Sequence, residues 1–103
     1  MAIELERRPG HVVAHASLLF ARDDARAVRE LLEGDARTRV TLDLQETRGS
    51  EPIALAVLAD VLRELPARIE VVGLCWDQRR LLAYFGVPDL RADGASEKNG
   101  EEE

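Results

Sequence analysis

Val40-Thr41-Leu42-Asp43-Leu44, then a polar loop, then Ile53-Ala54-Leu55-Ala56-Val57-Leu58-Ala59-Asp60-Val61-Leu62 form the stretch that decides the fold. The first segment is a short apolar strand formed by Val40, Leu42 and Leu44. The second is a helix that is apolar almost all the way round its first two turns. A small protein with one sheet needs only one face of such a helix for its core. The remaining apolar positions point toward a partner.

Angular placement at 100° per residue separates the faces of this helix. Ala54, Leu55, Leu58, Val61, Leu62 and Leu65 fall within one arc of about 120°, the core stripe. Ile53 and Val57 lie outside that arc, on the side of Asp60 and Glu64, and Ala56 lies beyond them. An apolar group at the start of the helix is thus bordered by charges further along. Ser50 or Glu51 is the expected cap, Pro52 suits the first turn, and Pro66 closes the helix.

Upstream, Ile3 to Glu6 alternates like a strand, and Pro9-Gly10 reads as a tight turn in which Gly supplies a positive φ. His11-Val12-Val13-Ala14-His15 returns as the second strand of a hairpin. Ser17 to Ala21 is a connector without a period. Asp23 and Asp24 open a first helix, with Val28, Leu31 and Leu32 as its stripe and Gly34 as a left-handed cap.

Downstream, Ile69 to Trp76 is a nearly continuous apolar run, the mark of a strand buried on both faces. Asp77 is the expected cap of a third helix carrying Leu81, Leu82 and Phe85, which Gly86 ends. A short strand near Leu90 would follow. The order is β-β-α-β-α-β-α, a hairpin followed by crossover units whose strands run parallel. The expected fold class is α/β: a small mixed sheet packed against helices.

The chain of 103 residues is one domain, 46% apolar and 33% charged, as expected of a soluble globular protein. No run approaches the roughly 18 apolar residues of a membrane helix, and the charged start, Glu4-Leu5-Glu6-Arg7-Arg8, is unlike a secretory signal. Cys75 is the only cysteine, which excludes an intramolecular disulfide and fits a reducing cytoplasm. Of the net charge of −6, residues 92–103 contribute −4, from five acids and one base. That tail has no apolar periodicity and is expected to be disordered, leaving a domain over residues 1–91. Neither part has the basic surplus of a nucleic-acid binder.

On the strand Leu42-Asp43-Leu44, the helix from Pro52, the strand Ile69 to Leu74 and the closing Phe85-Gly86-Val87, the chain resembles a STAS domain. That module is named for sulfate transporters and anti-sigma factor antagonists. In phosphorylatable members the loop before the second helix reads Asp-Ser-Ser/Thr-Gly-Leu-Gly or close to it. The corresponding residues here are Glu51-Pro52-Ile53-Ala54-Leu55-Ala56. Pro52 therefore stands where the phosphoacceptor would, and Ile53 where a second hydroxyl is common. The resemblance implies a bacterial-type signalling role in transcription regulation, with an anti-sigma factor or kinase-like ATPase as partner. It implies no phosphorylation switch at the usual position. Thr47 and Ser50 are the nearby hydroxyls, and Ser50 is the candidate for phosphorylation, since negative charge is favoured at a helix N-terminus.

Enzyme chemistry is missing from the sequence. It has no Gly-x-Gly-x-x-Gly, no Walker-type loop and no Gly-x-Ser-x-Gly elbow. His11 and His15 would share one face of a strand but lie about 13 Å apart, too far to share a metal ion. Cys75 and Trp76 are assigned to the core, and Asp43 to a structural hydrogen bond. The expected function is a cytoplasmic, non-catalytic interaction domain that binds a protein, with no nucleic acid, membrane insertion, metal or cofactor. Its candidate partner-binding residues are Thr47, Ser50, Glu51, Pro52, Ile53, Ala56 and Val57. An accessory or structural subunit of a larger complex, such as a transporter ATPase partner or a scaffold, is the alternative. A small-ligand-binding module is the second.

Overall fold

The computed structural model describes residues 3–87; the expected strand near Leu90 and the acidic tail lie outside the described residues. Strands β1 (Ile3–Arg8) and β2 (His11–Ala16) pair antiparallel from Ile3↔Ala16 to Arg8↔His11. Gly10 closes this hairpin at φ +72°, a region that costs a residue with a Cβ about 1–2 kcal/mol.

Strand β4 (Arg39–Asp43) pairs parallel with β2, and β6 (Ile69–Val72) pairs parallel with β4, giving the order β1-β2-β4-β6. Helix α1 (Arg22–Gly34) makes the first crossover and α2 (Pro52–Glu64) the second. Both step the same way across the sheet, so right-handed connections place both helices on one face. Burial follows that geometry. Val12, Ala14, Ala16, Val40, Leu42, Ile69 and Val71 are buried beneath the helices, whereas His11, Val13, His15, Thr41 and Asp43 point to the other face and are half-buried. Helix α3 (Trp76–Tyr84) packs beside α2.

The core centres on Phe20, Leu32, Leu42, Leu55, Leu58, Leu74 and Leu82, all fully buried. Each such side chain contributes roughly 1.5–3 kcal/mol by leaving water. The expected α2 stripe is inside, with Ala59 added and Leu65 only partly buried. Phe20 belongs to a second, two-stranded parallel sheet formed by β3 (Leu19–Phe20) and β5 (Gly49–Ser50). Segments this short carry no sequence period, which is why both read as connector and loop.

Five expectations are corrected. Gly34 does not take a left-handed cap. Instead the Arg68 guanidinium donates to the carbonyls of Leu32, Asp35 and Thr38 at 2.5–3.1 Å, supplying the donors that the end of α1 lacks. The strand expected to run to Trp76 ends at Val72, because Gly73 turns the chain at φ +81°. Cys75, not Asp77, is the N-cap of α3, and it is half-buried rather than in the core. Trp76 is exposed, with the Arg80 guanidinium 4.7 Å from its ring centroid. As expected, Gly86 ends α3: at φ +100° it donates to Ala83 O while Val87 N donates to Leu82 O, the pairing of a Schellman cap.

Candidate functional site

The carboxyl ends of β2, β4 and β6 feed three loops into the N-termini of α1, α2 and α3. This is the edge at which open α/β sheets present their binding surfaces. Here the three loops are locked together. Arg48 N and Gly49 N both donate to Leu18 O, and Glu51 N donates to Phe20 O at 3.0 Å. The Thr47 hydroxyl donates to Ser17 O at 2.8 Å, and Glu51 Oε1 accepts from Arg22 N at 2.9 Å. On the far side, a Cβ on Gly73 would lie 2.6 Å from Gln45 N, so only glycine allows that close an approach. Gln78, buried in α3, accepts from Cys75 N at 2.9 Å and donates to Ser50 Oγ at 2.7 Å.

These bonds place the sequence-predicted residues individually. Ser50 sits in β5 rather than capping α2, and its hydroxyl is engaged by Gln78. Thr47 and Glu51 are half-buried, with Glu51 as N-cap, and Pro52 is exposed at the first helical position. Ile53 is 51% exposed. Ala56 and Val57 are half-buried, and Val57 packs against the core.

Sequence reasoning missed three residues at the same edge. Leu18 is 65% exposed, Leu19 48% and Trp76 58%. With Ile53 they place four large apolar side chains on or next to the locked loops. The Leu18-Leu19 pair was visible as an apolar doublet in the connector, but without a period nothing showed that both leucines face outward. Trp76 was misplaced because its apolar neighbours Val71 to Leu74 extended the apparent strand.

A second polar cluster lies on the helix-free face. His11 Nε2 is 2.8 Å from Thr41 Oγ1. His15 Nδ1 is 2.9 Å from Asp43 Oδ2, and its Nε2 is 3.2 Å from Glu6 Oε1. The hydrogen bonds of the His15 ring, the one to Glu6 first and then that to Asp43, raise the His15 pKa above its ordinary value. Glu6 is held below the usual carboxylate range, chiefly by its bond to Arg8 and next by that to His15. The two histidines do not meet, as expected from their spacing, and Asp43 also accepts from Gln45 N at 2.9 Å. Beside His15 lies an open cavity of about 280 Å³ lined by Glu4, Ala16, Asp43, Gln45 and Glu46. Among the described residues no three His, Cys, Asp or Glu side chains form a metal-binding group. No helix among them is long and apolar enough to cross a membrane.

The sequence matches no protein-family model and no curated protein. The fold does have solved counterparts. The unphosphorylated form of the anti-sigma factor antagonist SpoIIAA superposes with a TM-score of 0.66, at 14% identity, over 98% of this chain and 96% of that one. An uncharacterised DUF3478 protein with a SpoIIAA-like fold from Shewanella loihica PV-4 gives 0.50 at 18% identity, over 82% and 77%. The crystal structure of Mglu gives 0.52 at 25% identity, over 66% of this chain but 18% of that one. Hairpin, parallel crossovers, helix-covered face and global superposition agree: the chain has the SpoIIAA-like fold.

Proposed function

We propose that this is a non-catalytic protein–protein interaction domain in the style of an anti-sigma factor antagonist. It engages its partner through the loop from Thr47 to Glu51, Pro52, Ile53, Ala56 and Val57, with Leu18, Leu19 and Trp76 completing the surface. The observation that carries this reading is the set of four exposed apolar side chains around a loop system fixed by hydrogen bonds on both sides. Apolar groups held on a rigid frame bind without a large ordering cost. The partner class, an anti-sigma factor or a kinase-like ATPase, rests on the resemblance and on the SpoIIAA-like fold.

The binding is constitutive with respect to the usual phosphorylation position, since Pro52 has no hydroxyl. Thr47 and Ser50 offer hydroxyls nearby, but both are already hydrogen-bonded. A phosphate on Ser50 would have to displace the Gln78 amide.

The test compares capture by wild type and Ile53→Asp from cell extract. An acid in the first turn of α2 favours the helix dipole, so the variant folds. A charge in a desolvated contact costs about 2–5 kcal/mol, a loss of roughly 30-fold or more in affinity. A captured anti-sigma factor or kinase-like ATPase that is lost from the variant supports the reading; equal capture by both proteins overturns it. A permanent accessory subunit would use the same surface, but would copurify in fixed stoichiometry. The small-ligand reading has its own observation, the cavity beside His15. It predicts thermal stabilisation by a ligand that Ile53→Asp leaves intact.

A further inference from the structure

Both ring nitrogens of His15 face carboxylates, Asp43 through Nδ1 and Glu6 through Nε2. A neutral imidazole has one N–H, so it donates to one carboxylate and turns a lone pair on the other. Only the imidazolium completes both bonds. The sheet register sets up this arrangement. His15 in β2 lies directly opposite Asp43 in β4 and Glu4 in β1, and Glu6 is two residues along from Glu4 on the same face. The bridge therefore spans three strands through side chains alone.

The charged surroundings are mostly acidic. Glu4 and Glu6 come from β1, with Arg8 paired to Glu6 at 2.7 Å. Asp43 comes from β4, and Glu46 joins Glu4 and Asp43 around the cavity. His11, on the same strand, is turned to Thr41. The helices pack on the opposite face.

We propose that His15 is a proton-operated clasp on the edge strand: as imidazolium it ties β1 to β4 across β2, and on losing its proton it keeps Asp43 and releases Glu6. Asp43 is the carboxylate retained because it is the shorter contact and is itself fixed by Gln45 N. Glu6 has an alternative partner in Arg8 on its own strand. Once released, β1 is held by its ladder to β2 and by the packing of Ile3 against the core. The direction of the pKa shift fixes the sign. A folded-state pKa raised above the unfolded one means the clasp contributes fully below the unfolded value, about 6.5, and is lost as pH rises through the folded midpoint. Opening of β1 thus belongs to neutral and mildly alkaline pH.

The chain has two histidines, so NMR of the 103-residue chain follows both imidazole titrations directly. The clasp predicts a His15 midpoint above about 6.5 that falls in Glu6→Gln and in Asp43→Asn. It also predicts that amide-exchange protection of β1, taken relative to β4 in the same sample, drops between about pH 6 and pH 8.5. Glu6 is exposed, so Glu6→Gln keeps the fold, and in that variant the relative drop disappears. A midpoint at or below the ordinary value, a midpoint unmoved by Glu6→Gln, or β1 protection that tracks β4 at every pH overturns the proposal. These readouts need no partner and are independent of the interaction surface.

Discussion

The Gln78 side-chain amide donates to Ser50 Oγ at 2.7 Å, joining the first turn of α3 to β5 across 28 residues of sequence. Gln78 is buried, so its amide has little access to water as a substitute partner. Ser50→Ala leaves that donor unpaired and is expected to cost about 1–3 kcal/mol, read as a lower midpoint in urea unfolding. The loss should fall on the α3 end of the loop edge, with faster amide exchange at Cys75 and Gln78.

Gly73 and Gly34 make a paired prediction. At Gly73 a Cβ meets Gln45 backbone at 2.6–2.8 Å and the φ is +81°. Gly73→Ala therefore combines backbone strain with overpacking and is expected to cost about 2–5 kcal/mol. At Gly34 a Cβ meets nothing within 4 Å in a helical backbone. Gly34→Ala is expected to be neutral or to stabilise by up to about 1 kcal/mol. Denaturation midpoints that move in the same direction would contradict this account of the loops.

Arg68 offers a test of how α1 ends. Its guanidinium reaches three carbonyls from a half-buried position. Arg68→Ala strands those acceptors and is expected to cost about 2–3 kcal/mol. Arg68→Lys should recover little, since a point charge cannot reproduce the planar fork. Full rescue by lysine would mean that charge alone, and not the fork, holds the helix end.

Much of this was readable from the chain. Val40, Leu42 and Leu44 announced a strand, the Pro9-Gly10 turn announced the hairpin, and the 100° spacing in α2 separated Leu55 and Leu58 from Ile53. What the sequence hid was long-range. The two-residue strands β3 and β5 exist because Phe20 is buried and because the loop N–H groups of Arg48, Gly49 and Glu51 find acceptors there; neither fact has a local signature. Arg68 is adjacent to a strand in sequence but acts on a helix more than 30 residues earlier. The apolar run after Ile69 gave no sign that Gly73 would break it against Gln45. Within the candidate site, Ile53 and Pro52 were legible from helix geometry, whereas Leu18, Leu19 and Trp76 joined them only through the folding together of three loops.

We propose that a protein partner docks on the edge bearing Leu18, Leu19, Ile53 and Trp76. Site-specific photo-crosslinking tests it most directly, with a photoreactive phenylalanine analogue at position 53 and, as a control, at the exposed α1 position Glu33. One discrete crosslinked protein is expected from position 53, identifiable by mass spectrometry as an anti-sigma factor or a kinase-like ATPase, and none from position 33. Equal or absent crosslinking at the two positions would contradict it.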